Sequence, residues 1–234
     1  MAMQASLLPM LESSGRVRAV MQDQEQSRAD QQRMAFVLSL REQGLADVAL
    51  LRAMETIPRE IFVPHHFADL AWRDIALPIA CGQTMPQPFA VARMVAALEL
   101  EPHHRVLEIG AGSGYATAIL SRLAGEVRSC ERFRSLAHAA QSRLEALAIH
   151  NANVRWADGF DIPSDSGVFD RIVVDTAITD VPRALSALLA PGGLMLFARA
   201  TSVHSLRRTP SGFAEDLVFA ARYAPAIPGR SAEL

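Results

Sequence analysis

The chain has 234 residues, half of them apolar, which is enough to bury the core of one domain. Its 23 basic and 25 acidic side chains give a net charge of −2, so we expect neither nucleic acid nor an anionic membrane as a partner. No run of about eighteen apolar residues and no basic leader are present, which predicts a cytoplasmic protein without a membrane span.

Metal and disulfide sites are not predicted. Cys81 and Cys130 lie far apart and have no CxxC spacing, which argues against a disulfide framework or a zinc site. The histidine pairs at 65–66 and 103–104 stand on irregular stretches, and no acidic or thiol partner is evident at ligand spacing. The sequence leaves the oligomeric state open.

The first part of the chain divides into a leader and a helical addition. Residues 1–29 are polar and rich in glutamine, which indicates a leader that could be flexible. Residues 30–87 begin with two predicted helices, the second capped by Asp47 and ended by Pro58. The segment 59–84 is rich in proline and aromatic residues, so we predict irregular structure there.

From residue 88 onward, short apolar runs alternate with helical patterns. After a helix at about 88–100, strands are predicted at 105–110, 126–131, 153–158, 170–177 and 193–199, with helices at about 113–124, 133–147 and 181–189. This alternation predicts a doubly wound α/β fold with a mainly parallel sheet over residues 88–234. Two further apolar runs near the end predict a hairpin that adds antiparallel strands at the sheet edge.

The strongest chemical signal is the stretch VLEIGAGSGY, where a predicted strand meets a helix. Gly110, Gly112 and Gly114, with Ser113 between them, allow a tight turn and a close approach of the backbone to a ligand. Ligands in such sheets bind at the carboxyl ends of the strands. The stretch therefore predicts a nucleoside cofactor site.

Two residues around this turn separate the cofactor classes. A dinucleotide fingerprint needs glycine at the sixth position of GxGxxG, where this chain has Tyr115. Glu108 precedes the turn and would repel a pyrophosphate, whereas it suits a cationic ligand such as S-adenosylmethionine. A nicotinamide-dependent dehydrogenase is accordingly the weaker alternative.

Polar residues at the ends of the following strands extend this interpretation. Glu131 stands where a carboxylate binds both ribose hydroxyls of an adenine nucleoside, and Asp158 with Gly159 suits the adenine amino group. Asp175 has two possible roles. It either faces the site and approaches the methionine part of the cofactor or the substrate, or it caps the following turn. Arg199 either binds a substrate carboxylate or is a surface residue.

Several motifs in order carry a resemblance to a known family. ALPIACGQTMPQPFAVARM, VLEIGAGSGYATAIL, SCERF, NVRWADGFD and FDRIVVDTA resemble the protein-L-isoaspartate O-methyltransferase family over roughly residues 30–225. The resemblance implies a methyltransferase fold, S-adenosylmethionine as cofactor, and methyl transfer to the α-carboxylate of L-isoaspartyl residues in damaged peptides and proteins. It assigns cofactor contacts to the glycine turn and to acidic strand ends: Glu108, Gly110, Gly112, Gly114, Glu131, Asp158 and Gly159.

The resemblance also assigns loop contacts, with one departure. Gln83, Thr84 and Gln87 match the family's substrate loop, but Pro86 replaces the serine regarded as the active-site residue. Proline has neither a hydroxyl nor a backbone N–H. This leaves two alternatives: a related methyltransferase with a different acceptor, or a protein that binds S-adenosylmethionine with little catalysis.

The proline does not by itself exclude methyl transfer to a carboxylate. A carboxylate with a pKa of about 4 is already ionised near neutral pH, so no general base is required. Met85 and Gln87 each precede a proline and are biased toward extended conformations. We therefore hypothesise that the loop is stiffened in advance and loses less entropy when it binds.

Overall fold

The computed structural model describes residues 30–231. The predicted leader, residues 1–29, lies outside the described residues, so the division of the chain into leader and methyltransferase domain stays a prediction. Among the described residues, no helix is both long and apolar enough to cross a membrane.

The helices begin and end close to the predicted positions. They are α1 (30–42), α2 (Val48–Thr56), α3 (Pro88–Ala97), α4 (Tyr115–Ser121), α5 (Arg134–Ala146) and α6 (Arg183–Ala187). Asp47 caps α2 as predicted, because its Oδ1 accepts a hydrogen bond of 3.0 Å from the N–H of Leu50. Pro88 occupies the first turn of α3, where a missing N–H costs no intrahelical bond.

Seven strands form the main sheet and two short ones form a separate ladder. The short pair is β1 (Leu77–Pro78) and β2 (Thr84–Met85). The main sheet contains β3 (Arg105–Ile109), β4 (Glu126–Glu131), β5 (Ala152–Trp156), β6 (Phe169–Ala177), β7 (Leu189–Arg199), β8 (Ser202–Thr209) and β9 (Gly212–Ala220).

The order of the main sheet is β5-β4-β3-β6-β7-β8-β9. All pairs from β5 to β7 are parallel, and the last two pairs are antiparallel. The predicted α/β fold with an antiparallel hairpin at its edge is therefore confirmed. Because the chain leaves β3 toward β4 and later returns to β6, the order reverses beside β3, where such sheets bind ligands.

Side chains alternate between the two faces of the sheet and build one apolar layer on each side. On one face Val106, Val127 and Val173 belong to the layer that includes α2 to α5. On the other face Ile109 and Val174 pack in the layer that includes α6. The two layers cover the parallel strands from both sides and leave their carboxyl ends open for a site.

The segment predicted as irregular contains more order than expected. It forms two 3₁₀ helices, Arg59–Phe62 and His65–Leu70, followed by the β1–β2 ladder. Buried Arg59 holds this segment together by donating hydrogen bonds to the backbone carbonyls of four residues: Ala71, Arg73, Ile75 and Pro86. Burial lowers the pKa of Arg59 to about 10, so its guanidinium stays charged at neutral pH.

Candidate active site

A cavity of about 710 Å³ lies at the carboxyl ends of the parallel strands. Its volume is in the range of about 300–1,000 Å³ that is usual for small-molecule sites. Two sets of residues line it. The strand-end wall consists of 109–113, Glu131, Asp158, Gly159 and Asp175, and the loop-and-tail wall consists of the proline loop (82–87), the start of α3 and the tail (219–227).

The glycine turn follows β3 and brings its backbone to the cavity. Gly112 has a φ of +53°, a conformation that favours glycine, and its N–H donates a hydrogen bond of 2.9 Å to Oε2 of Glu131. Gly110 and Ser113 also line the cavity. Gly114 instead packs against α5, where an added Cβ would lie 3.0 Å from the Cβ of Ala140. The conformation of the turn thus requires glycine for two reasons, the positive φ at Gly112 and the close packing at Gly114.

Glu131 ends β4 with its carboxylate held in a fixed orientation. Oε2 accepts the N–H of Gly112, and Oε1 accepts the N–H of Phe133 at 2.9 Å. Only 5% of the residue is exposed. Each carboxylate oxygen can accept a further hydrogen bond. The predicted role of Glu131 in binding two ribose hydroxyls fits this arrangement and stays a prediction.

Asp158 and Gly159 lie next along the strand-end wall. Oδ1 of Asp158 accepts the N–H of Phe160 at 2.9 Å, and Oδ2 accepts the N–H of Gly229 at 2.7 Å. An added Cβ at Gly159 would lie 2.4 Å from Cγ2 of Ile109, so the backbone packs closely on β3. The tail therefore shares the carboxylate that we predict as the acceptor for an adenine amino group.

Glu108 lies behind the strand-end wall, not on its surface. Its buried Oε2 accepts hydrogen bonds from the hydroxyls of Thr117 and Ser129, at 2.5 and 2.6 Å. Burial raises the pKa of Glu108, and repulsion from Glu131 adds to the effect. The structure therefore differs from the predicted direct contact with a cationic ligand, because side-chain alternation along β3 turns Glu108 toward α4.

Asp175 lines the cavity near the end of β6. Burial raises its pKa well above the ordinary value, and the charge of Glu108 raises it further. A cation bound beside Asp175 would lower this pKa again, because an opposite charge stabilises the ionised carboxylate. Of its two predicted roles, the structure favours a position facing the cavity.

The predicted loop residues Gln83, Thr84 and Gln87 all line the cavity together with Pro86. Nε2 of Gln83 donates a hydrogen bond of 3.1 Å to the carbonyl of Cys81, and the side chain of Thr84 is exposed. Pro86 is held through its carbonyl, which accepts from Arg59 at 3.0 Å. The loop is thus fixed by its backbone, while its polar side chains remain at the cavity.

Sequence reasoning missed the tail. The second apolar run of the predicted hairpin is EDLVFAARYAP, but β9 ends at Ala220 within it and the chain then crosses the strand ends. Backbone hydrogen bonds join Ala177 to Ala224 and Ala226, each at 2.8 Å. The prolines at 225 and 228 were the local signal that the strand could not continue.

A second group that was missed is Arg93 on α3. It lines the cavity with Phe219 and Tyr223, which belong to the tail. Arg199, which was a candidate for binding a carboxylate, does not line the cavity. It pairs with Glu215 at 2.5 Å, as expected for the surface alternative.

One acidic neighbour of the second histidine pair was also overlooked. The possible ligand atoms of Glu101, His103 and His104 lie within 4.8 Å of one another in the turn before β3. However, Nδ1 of His104 already accepts the N–H of Glu101 at 2.9 Å. This cluster lies at the amino end of β3, away from the cavity, and is not part of the candidate site.

Comparison with known proteins identifies the family. Residues 31–206 match the family described as Protein-L-isoaspartate(D-aspartate) O-methyltransferase, a range that holds the glycine turn, the acidic strand ends and the proline loop. The chain belongs to this family. A Protein-L-isoaspartate O-methyltransferase from Rhodopseudomonas palustris (strain BisA53) is 49% identical over 209 residues, covering 87% of this chain and 97% of that protein. One from Nitrobacter winogradskyi is 48% identical, covering 87% and 96%.

Solved structures agree on the fold. A protein-L-isoaspartate O-methyltransferase superposes with a TM-score of 0.76 at 24% identity, covering 85% of this chain and 67% of that chain. A structure from Plasmodium falciparum, described as a putative protein-L-isoaspartate O-methyltransferase in complex with S-adenosyl-L-homocysteine, has a TM-score of 0.72 at 20% identity. The match covers 82% of this chain and 96% of that chain.

S-adenosylmethionine is the cofactor of the isoaspartate methyltransferase family, and the cavity fits it. Glu131 retains acceptor capacity on both oxygens, and a bound cation would favour the ionised form of Asp175. Thr176 also lines the cavity, and its Oγ1 is buried without a hydrogen-bond partner among the described residues. An unsatisfied buried hydroxyl is unfavourable unless a ligand pairs with it. The strand-end wall therefore supplies both charge and hydrogen-bonding groups for this cofactor.

Proposed function

We propose that this protein transfers the methyl group of S-adenosylmethionine to the α-carboxylate of L-isoaspartyl residues in damaged peptides and proteins. The observation that carries the proposal is the cavity. One wall holds acidic strand ends for a cationic cofactor, and the other holds the polar loop that the family uses for its acceptor. The two relatives named Protein-L-isoaspartate O-methyltransferase are matched over almost their whole length.

The reaction places modest demands on the protein. When bound, S-adenosylmethionine supplies a methyl group on a positively charged sulfur. The methyl group is transferred to a carboxylate oxygen, and the electron pair of the broken C–S bond stays on sulfur. The acceptor is already an anion, so the loop residues need to position it and exclude water rather than remove a proton. This explains how a loop with proline at position 86 still serves the reaction.

The structure supports positioning by the proline loop. Arg59 fixes the Pro86 carbonyl, and the N–H of Phe89 donates a hydrogen bond of 2.8 Å to Asp74 just after the loop. Thr84 carries the hydroxyl nearest to position 86 in the sequence. We therefore propose that Gln83, Thr84 and Gln87 contact the acceptor, and that the backbone of residue 86 sets their position.

The test is incubation with S-adenosylmethionine and two peptides that differ only in one linkage, isoaspartyl or aspartyl. We expect base-labile methyl esters on the isoaspartyl peptide alone. Tight cofactor binding without ester on either peptide would support a different acceptor or a binding protein. Esters on both peptides would show that the site does not recognise the linkage.

We also propose that the protein acts in the cytoplasm. The chain has only two cysteines, Cys81 and Cys130, without the spacing of a disulfide framework, which is usual for proteins of that compartment. Fractionation of cells that carry the tagged full chain tests this location. Recovery of the protein from an extracellular fraction would contradict it.

A further inference from the structure

The cavity is lined by three arginines that differ in their surroundings. Arg132 donates a hydrogen bond of 3.2 Å from Nε to the carbonyl of Gly229. Arg222 is exposed to solvent. Arg93 is half-buried on α3. No carboxylate among the described residues lies within ion-pair distance of any of the three. Arg93 differs from the other two because it is half-buried and donates no side-chain hydrogen bond to a described residue.

Aromatic rings hold Arg93 in place. Its guanidinium carbon lies 4.0 Å from the centre of the Phe219 ring and 5.8 Å from that of Phe89, one turn earlier on α3. A guanidinium at this distance from an aromatic ring is stabilised by the cation–π interaction. This interaction uses no N–H donor, and no hydrogen bond from the Arg93 side chain to another described residue is present.

Tyr223 adds a second donor beside Arg93. Burial raises the pKa of its phenol, the charge of Asp175 raises it further, and the charge of Arg93 opposes these effects. The hydroxyl therefore stays protonated at neutral pH and can donate a hydrogen bond. Arg93, Tyr223 and the proline loop line one cavity, so the loop-and-tail wall offers the half-buried charge of Arg93, beside the exposed Arg222, and several neutral donors.

We propose that Arg93 binds the carboxylate that receives the methyl group, which makes it the residue that selects an anionic acceptor. This inference rests on the proposed function. A guanidinium can pair with one carboxylate oxygen and leave the other oxygen to attack the methyl carbon. A serine at position 86 would offer the acceptor a neutral hydrogen-bond donor. Arg93 offers a positively charged one.

The distribution of charge favours the acceptor over the cofactor as the partner of Arg93. The strand-end wall carries the acidic residues Glu131, Asp158 and Asp175, and a cationic cofactor would favour the ionised form of Asp175. Arg93 lies on the helix that continues the proline loop, beside the tail. Methylation also removes the negative charge of the acceptor. The ester therefore cannot form the ion pair with Arg93, and it binds less tightly than the substrate does.

The test compares Arg93→Met and Arg93→Lys with wild type. Arg52→Met on the exposed surface of α2 is the control. For Arg93→Met we expect KM for the isoaspartyl peptide to rise about ten- to a hundredfold, with kcat changed less than about threefold. Arg93→Lys keeps the charge but loses the planar guanidinium, so its KM should lie between those of wild type and Arg93→Met. Arg52→Met should behave as wild type.

Calorimetry supplies a readout independent of turnover. In the presence of S-adenosyl-L-homocysteine, wild type should bind the isoaspartyl peptide more tightly than its methyl ester, and Arg93→Met should bind both equally. The Kd for S-adenosyl-L-homocysteine itself should be the same in wild type and in both Arg93 variants. Raised salt should weaken peptide binding in wild type more than in Arg93→Met.

Two results would overturn the inference. An unchanged KM and peptide Kd in Arg93→Met would show that Arg93 does not meet the acceptor. A weakened Kd for S-adenosyl-L-homocysteine with unchanged peptide binding would assign Arg93 to the cofactor's carboxylate. Failure of the proposed function looks different, because wild type and Arg52→Met would then also leave the isoaspartyl peptide unmethylated.

Discussion

The strand-end wall and the loop-and-tail wall of the same cavity are built by different means. Residues of the strand-end wall follow four neighbouring parallel strands, whose hydrogen-bonded register fixes where each strand ends. Residues of the loop-and-tail wall come from irregular chain, held by a few contacts such as that from Arg59 to Pro86. Cofactor binding therefore depends on the sheet, whereas acceptor choice depends on segments that can change without altering the sheet.

Glu131 offers the strongest test of the strand-end wall. Glu131→Gln removes the charge and one of two acceptor sites for backbone N–H groups. Because hydrogen bonds to a charged group contribute about 1.5–3 kcal/mol each, we expect the Kd for S-adenosyl-L-homocysteine to rise about a hundredfold. Calorimetry measures this. Glu126→Gln, at the other end of β4, should keep the cofactor Kd, and a Glu131→Gln Kd within threefold of wild type would refute the assignment.

Gly114→Ala tests whether close packing shapes the glycine turn. The new Cβ would meet Ala140 at 3.0 Å, whereas at Gly44 it would meet no atom within 4 Å. Both glycines have positive φ, at +87° and +96°, so both substitutions carry backbone strain. Overpacking costs about 1–3 kcal/mol. Urea unfolding should therefore show Gly114→Ala to be less stable than Gly44→Ala by about that amount, and equal losses would contradict the packing argument.

Substitutions at position 86 test the loop-and-tail wall. Pro86→Ala removes the stiffening without adding a hydroxyl, and we expect kcat/KM for the isoaspartyl peptide to fall about two- to fivefold, since proline rigidity is worth about 0.4–1 kcal/mol. Pro86→Ser loses the same rigidity but adds a donor, so it should lie near wild type. Neither should change the cofactor Kd. If Pro86→Ser exceeded wild type more than tenfold, stiffening would be no substitute for the hydroxyl.

The smallest expected effect concerns the buried carboxyl behind the strand-end wall. Burial raises the pKa of Glu108 above its ordinary value of 4.5, so the folded protein holds this proton more tightly than the unfolded chain does. Its contribution to stability is complete below about pH 4.5 and is lost as the pH rises through the raised value. Glu108→Gln cannot ionise and escapes this loss.

We therefore expect the stability of wild type relative to Glu108→Gln to decline as the pH rises above 4.5 in urea unfolding. The pKa of Asp175 is raised in the same direction, so Asp175→Asn should show a decline of the same sign. A difference that stays constant over this range would mean that Glu108 does not titrate with folding.

The fold was predictable because its signals are local. Apolar runs such as RVLEI and helical spacing in α3 lie within single elements, and the alternation of strand and helix leaves few possible topologies. The acidic strand ends followed from that topology. The exception is Glu108, since a residue just inside a strand end can face either the cavity or the layer beneath.

The loop-and-tail wall was not predictable to the same extent, because its contacts join residues distant in sequence. Arg59 and Pro86 are 27 residues apart, and Gly229 and Asp158 are 71 apart. No periodic pattern marks such pairs. Arg93 looked like an ordinary polar residue of an amphipathic helix, and only the tail folding onto it showed that it borders the cavity.

The contact from Arg59 to residue 86 has a consequence for how the sequence of this protein can vary. The guanidinium contacts a backbone carbonyl, which every amino acid carries, and it makes no demand on the side chain at position 86. A mutation there changes what the loop presents to the acceptor while the loop stays anchored. Selection can therefore alter acceptor chemistry at position 86 one substitution at a time, without first rebuilding the loop.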